Sequence, residues 1–124
     1  MKIVDENFAN ELISKEQLDG YQLQSLLEAR ARDIVDFDLI DVREYSEHED
    51  EHIIGTDAII STSSFKQKVK DIFGKKKKPI IVYCYSGSRS ARVQFFMRSL
   101  GFEHILNLQY GISDFYGATQ KLSR

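Results

Sequence analysis

The sequence predicts an α/β fold in which a central parallel sheet carries helices on both faces. Three observations lead there. Segments that read as strands alternate along the chain with segments of helical periodicity. The central strand segments, such as Ile80-Ile81-Val82, are short continuous apolar runs rather than apolar–polar alternations. A strand of that kind is covered on both faces, as in a parallel sheet. The length of 124 residues with 42% hydrophobic content suits one domain, residues 1–124, with one core.

The elements follow in order. Ser14 and Gln17 have capping-box spacing, and Leu18, Leu23, Leu26, Leu27 and Ala31 form a helical stripe. A helix from about Lys15 to Arg32 is expected, with Gly20 as the point where it could split in two. Phe37 to Val42 is a short buried strand closed by charged residues. Glu44 to Glu51 is acidic and lacks an apolar face, so it reads as a helical turn in a surface loop. Ala58-Ile59-Ile60 is a second strand. Ser63 or Ser64 can cap a helix that carries Phe65, Val69, Ile72 and Phe73 and ends at Gly74. Lys75 to Lys78 read as a solvated turn. Pro79 to Tyr83 is a strand, and Ser88 to Leu100 is a helix with Val93, Phe96, Met97 and Leu100 inward and Gly101 as its stop. His104 to Leu108 is the last strand, and Ile112, Phe115 and Tyr116 begin a final short helix.

Composition narrows the function classes. A net charge of -2 with both signs interspersed gives no general attraction to nucleic acid or to an acidic membrane. No stretch approaches the ~20 apolar residues of a membrane span, and Met1 to Glu6 turns acidic before any apolar leader could build. The single cysteine can form neither an internal disulfide nor a thiolate-rich zinc site, and it suits the reducing cytoplasm. His48, His52 and His104 show no metal-ligand spacing, so no metal is assigned.

That cysteine is the most informative residue. Cys84 ends the apolar run and is followed by Tyr85-Ser86-Gly87-Ser88-Arg89-Ser90, a Ser/Gly loop leading into a helix. Ligands in open α/β sheets bind beyond the carboxyl ends of strands, where Cys84 stands at the surface end of one strand and Asp41, Val42 and Arg43 at the same end of another. Loop amides and the positive end of a helix dipole stabilise an anion there. The thiol is therefore expected to ionise more easily than a free cysteine and to act as a nucleophile.

Two stretches carry a resemblance to a known family. One is Asp41-Val42-Arg43-Glu44, followed by Glu47, His52-Ile53 and Gly55. The other is Tyr83-Cys84, Gly87, Arg89-Ser90, then Gly101-Phe102, Leu108 and Gly111-Ile112. Together they resemble the single-domain rhodaneses, which are sulfurtransferases. The likeness runs from about Leu39 to Phe115. It departs at Glu51, Ile54, Thr56, Tyr110 and Phe115, where the family more often has glycine, proline, alanine, glycine and tryptophan. None of these lies in the cysteine loop.

The resemblance implies a rhodanese-like fold and a two-step reaction. Cys84 takes a sulfane sulfur from thiosulfate or a persulfide, holds it as a persulfide among the amides of Tyr85 to Ser90, and passes it to a thiol, to cyanide or to a protein acceptor. No cofactor or metal enters. Asp41 and Arg43 read as a structural pair supporting the loop. Arg89 is either a donor to loop carbonyls or to Asp41, or a direct anion contact, and Arg92 falls on the same helix face. Glu44 and Glu47 read as surface helix polarity, and His52 as a hydrogen-bonded structural histidine. Phosphatases and arsenate reductases of the same fold resemble C-x5-R, whereas Cys84 to Arg89 is C-x4-R, a smaller ring of amides. A non-catalytic binding module and a thiol redox sensor are the alternatives from other classes.

Overall fold

The computed structural model describes residues 5–122, so the reading of Met1 to Val4 lies outside the described residues. Five strands form one parallel sheet in the order β1-β6-β5-β2-β4, comprising β1 (Gln17–Leu18), β2 (Asp38–Asp41), β4 (Ala58–Ile59), β5 (Ile80–Tyr83) and β6 (Ile105–Leu108). A separate antiparallel pair joins β3 (His52–Ile53) to β7 (Thr119–Gln120). The helices are α1 (Glu6–Ile13), α2 (Gly20–Ala31), α3 (Tyr45–Asp50), α4 (Phe65–Lys68) and α5 (Ser88–Ser99). The α/β class with a parallel sheet is as the apolar runs predicted.

The twofold period of a strand divides the core in two. Leu39, Ile81, Tyr83, Leu106 and Leu108 face α1 and α2, meeting Ala9, Leu12, Leu23 and Leu26. Ile40, Ile80, Val82 and Ile105 face the other way, onto Phe65 of α4 and Val93 and Met97 of α5. Each large aliphatic side chain buried in these layers contributes about 1.5–3 kcal/mol relative to exposure. Cys84 continues the register of Ile80 and Val82, so the same alternation that builds the core sends the thiol to the α5 side.

Several local expectations are corrected. The helix expected from Lys15 to Arg32 begins at Gly20, because Asp19 and not Ser14 makes the reciprocal cap with Gln22. Ser14 instead closes α1, an unexpected helix that Asp5 caps by accepting from the Phe8 amide at 2.8 Å. Gln17 and Leu18 form β1 because β6 offers them an unpaired edge. After one α-helical turn, α4 tightens into a 3-10 run over Val69–Lys75, and Phe73 lies 41% exposed rather than inward. The turn at Lys75 to Lys78 is less solvated than expected. Lys75 and Lys78 reach Asp38 at 2.5 and 3.0 Å, and Lys76 lies over the Phe73 ring. Burial works against ionisation of Asp38, but the two lysines outweigh it and hold its carboxyl below the ordinary value. The final helix is a 3-10 turn, Ile112–Asp114, that ends before Phe115 and Tyr116. In α5 the buried face includes Gln94, while Phe96 and Leu100 are only partly covered.

Candidate active site

Cys84 leaves β5 and its chain turns at once into α5. Gly87 makes that turn possible. It caps α5 with φ +100°, and a Cβ there would stand 1.9 Å from the Gln109 carbonyl oxygen. The segment after β6 backs the loop from beneath. Ile112 N donates to Cys84 O at 3.0 Å and Ser113 N to Tyr85 O at 3.1 Å. Gly111 (φ +69°) permits this approach, since its Cβ would meet the Tyr85 carbonyl oxygen at 2.1 Å. Asn107 of β6 adds a side-chain bond to Gly87 O at 3.3 Å.

The loop aims its donors at sulfur. Cys84 Sγ accepts from Gly87 N at 3.1 Å, Ser90 N at 3.4 Å and Ser90 Oγ at 3.3 Å. Burial opposes ionisation of the thiol. It is outweighed by the Ser90 hydroxyl and by the amides of Ser90, Gly87 and Ser86, and the thiol is held below its ordinary value. The expectation of a thiol at the surface end is corrected: Cys84 is 1% exposed and packs with Val82 and Val93. The reason is that loop and helix N-terminus fold over the sulfur they stabilise. Tyr85, Ser86 and Ser88 are exposed around it, Arg89 is half-buried, and Gly87 and Ser90 are buried.

Among the described residues Arg89 makes no hydrogen bond to Asp41 or to a loop carbonyl. Its guanidinium grips Glu47 with Nη1 and Nη2 at 2.9 and 3.0 Å. The grip raises Arg89 and lowers the Glu47 carboxyl below its ordinary value. The reading of Glu47 as surface polarity is therefore corrected. Glu44 also has a defined role, with its amide donating to Glu47 Oε2 at 2.9 Å and Ser63 Oγ donating to its carboxylate at 2.9 Å.

Asp41 and Arg43 stand one step further back. The Asp41 carboxylate is 0% exposed and accepts from Arg43 N, Nε and Nη2 at 2.9, 3.0 and 2.8 Å and from His48 Nδ1 at 2.9 Å. Arg43 also donates to Glu51 O at 2.6 Å. These bonds tie both ends of α3 to the end of β2, and α3 carries Glu47. The pair thus supports the loop through Glu47 and Arg89. His48 must carry its Nδ1 proton to serve Asp41. Burial, with His52 and Arg43 nearby, holds it below its ordinary value against the pull of Asp41. His52 stacks on His48 at 3.8 Å and donates Nδ1–H to His48 O at 2.9 Å.

The sequence reading missed His48, Asn107 and the backing role of Gly111 as parts of this site. Gly111 and Glu47 did stand among the motif residues, and that was the one available signal. Among the described residues no group of three or more His, Cys, Asp or Glu side chains is placed to hold a metal, and no helix is long and apolar enough to cross a membrane.

Comparison with known proteins agrees with this geometry. The family model described as a rhodanese-like domain matches residues 21–118. The Bacillus subtilis protein YqhL, itself uncharacterized, is 38% identical over 79 residues, which is 64% of this chain. The chain's match spans 60% of that relative's length. Among solved structures, the rhodanese-like domain of the Anabaena Alr3790 protein superposes with a TM-score of 0.71 at 25% identity, covering 87% of this chain and 80% of that one. A Rhodopseudomonas palustris protein described as a possible tyrosine phosphatase shares the fold, with a TM-score of 0.67 at 22% identity over 87% of this chain and 83% of its own.

Proposed function

The chain belongs to the rhodanese-like domain family, and from that premise we propose that it is a sulfurtransferase working through a Cys84 persulfide. The observation that carries the reading is the set of three donors converging on a lone thiol. In the first step the Cys84 thiolate attacks the outer sulfur of thiosulfate or of a persulfide. The donor's sulfur–sulfur bond breaks, and sulfite or a thiolate leaves with the electron pair. In the second step a thiolate or cyanide attacks the outer sulfur of the Cys84 persulfide, and the electron pair of the broken bond returns to Cys84. Sulfur suits both roles because it attacks and leaves well. The loop donors stabilise negative charge on Cys84 at the start and end of the cycle.

Because the sulfur is covered, a donor presents its terminal sulfur and not its body. Ser90 tunes the thiolate. Tyr85, Ser86 and Ser88 border the entrance, and Glu47 fixes Arg89 in place. Residues of the loop carry the chemistry, with Asp41, Arg43 and Glu47 supporting them from behind, and the reaction calls on no cofactor. The substrates are small sulfur compounds, with a protein acceptor also suited to the open strand ends. A lone unpaired thiol is best kept reduced in the cytoplasm.

The phosphatase reading has the Rhodopseudomonas structure in its favour. Against it stand the C-x4-R loop and the commitment of Arg89 to Glu47, which leaves the loop cation paired where a phosphate dianion would want it. Intact-mass measurement after thiosulfate treatment separates the two. The expected result is one added sulfur on the wild type, removed by a thiol and absent from Cys84→Ala. An unmodified wild type that hydrolyses a phosphate ester, with that activity lost in Cys84→Ser, would replace this proposal with the phosphatase.

A further inference from the structure

Beside the cysteine loop lies an open groove of about 400 Å³ between the start of α4 and the outer face of α5. Its floor is apolar, formed by Phe65, Val93 and Phe96, with the two rings edge to face at 6.2 Å. Its rim is cationic, formed by Lys66, Arg92 and Arg89. Arg89 is already neutralised by Glu47. Among the described residues neither Lys66 nor Arg92 has an ion-pair partner, and both are exposed. Two unpaired cations over an aromatic floor, on a chain whose net charge is -2, complement a ligand that is apolar in body and anionic at one end.

We propose that this groove selects the sulfur-exchange partner of Cys84, and that the partner is a small organic thiol, or its persulfide, with an aromatic or other apolar body and a carboxylate. The inference rests on the sulfurtransferase reading above and names the substrate class for that same site. Three features argue for it. A small inorganic dianion finds no unpaired cation within the loop itself, because Glu47 holds Arg89. The groove shares Arg89 with the loop, and Val93 of its floor belongs to the same buried cluster as Cys84, so a ligand lying in it has one end beside the loop that holds the thiol. Arg92 stands three residues past Arg89, a rise of ~4.5 Å along α5, so the unpaired cation lies about one helical turn further along the groove than the cation at the loop. In the exchange the ligand thiolate attacks the outer sulfur of the Cys84 persulfide. The new sulfur–sulfur bond belongs to the ligand, and the old bond's electron pair stays on Cys84. The reverse reaction loads Cys84 from the ligand persulfide.

The test pairs two acceptors of similar nucleophilicity, para-mercaptophenylacetate and para-thiocresol, against protein preloaded with persulfide. The readout is the ratio of their second-order rates. In the wild type the carboxylated thiol should react about tenfold faster. Lys66→Ala with Arg92→Ala should bring the ratio close to one, and Arg92→Glu should invert it. A ratio near one in the wild type, or one unchanged in the variants, overturns the proposal. Binding of the unreactive para-tolylacetate, followed by amide shifts at Phe65, Lys66, Arg92 and Phe96, reads the groove independently of chemistry. Binding without any persulfide formation would overturn the sulfurtransferase reading and uphold the groove as a carboxylate site. No binding, alongside normal transfer to cyanide, would overturn the groove and leave the activity standing.

Discussion

Replacing Ser90 by alanine removes one of the three donors to Cys84 and little else. The hydroxyl lies 3.3 Å from Sγ and 3.2 Å from the Gly87 carbonyl oxygen, so its one proton is divided between them. A hydrogen bond to an ionised partner contributes about 1.5–3 kcal/mol. Halved by sharing, the loss to the thiolate is about 0.7–1.5 kcal/mol, or roughly three- to tenfold in thiolate population. Gly87 O keeps its bonds from Ala91 N and Asn107 Nδ2, so the loop should hold its shape. The assay is the rate of alkylation by iodoacetamide, a reagent small enough for a covered sulfur, across a pH series. The acid limb of the Ser90→Ala profile should lie at higher pH than that of the wild type. At a fixed pH on that limb its rate should be three- to tenfold lower, with the alkaline plateau unchanged. Superimposed limbs would show that the hydroxyl does not stabilise the thiolate, and that the backbone amides alone set its ionisation.

Cys84→Ala should abolish sulfur transfer while costing only about 1 kcal/mol of stability, since one buried sulfur atom leaves the apolar cluster; turnover within tenfold of wild type would refute the persulfide. Gly87→Ala should destabilise by more than about 2 kcal/mol in urea titration, because it combines a left-handed backbone with a Cβ set 1.9 Å from Gln109 O. A midpoint equal to wild type would mean the loop can relocate. Asp41→Ala leaves Arg43 buried without its carboxylate and should cost about 3–5 kcal/mol, while a loss below 1 would show that water replaces the pair. Arg89 holds Glu47 below its ordinary carboxylate value, so the pair's contribution is complete above about pH 4.3 and is lost as pH falls through the lower folded value. Both side chains are about one-third exposed, which keeps that contribution under about 1 kcal/mol. Glu47→Gln should therefore show a slightly flatter decline in urea midpoint below that pH than the wild type, and parallel declines would contradict the assignment.

Much of this protein was legible in its residue order, and the reasons are local. Continuous apolar runs at Leu39-Ile40 and Ile80-Ile81-Val82 have one good use, as strands covered on both faces, so they dictate the parallel sheet. Cys84-Tyr85-Ser86-Gly87 before Ser88 encodes its own geometry, because glycine accepts the left-handed turn and the following amides have no helical partner of their own. Other features depend on what packing brings near. Whether Asp19 or Ser14 begins α2 is a contest between two good caps, decided when Gln17 and Leu18 join the edge of β6. Arg89 could have reached several acids. Glu47, 42 residues away, takes it because Asp41, Arg43 and His48 fix α3 beside the loop. The cover over the thiol and the cationic groove between α4 and α5 likewise exist only once separate segments meet. Backbone chemistry is written residue by residue, whereas the choice of a side chain's partner is settled by which surfaces the buried core forces together.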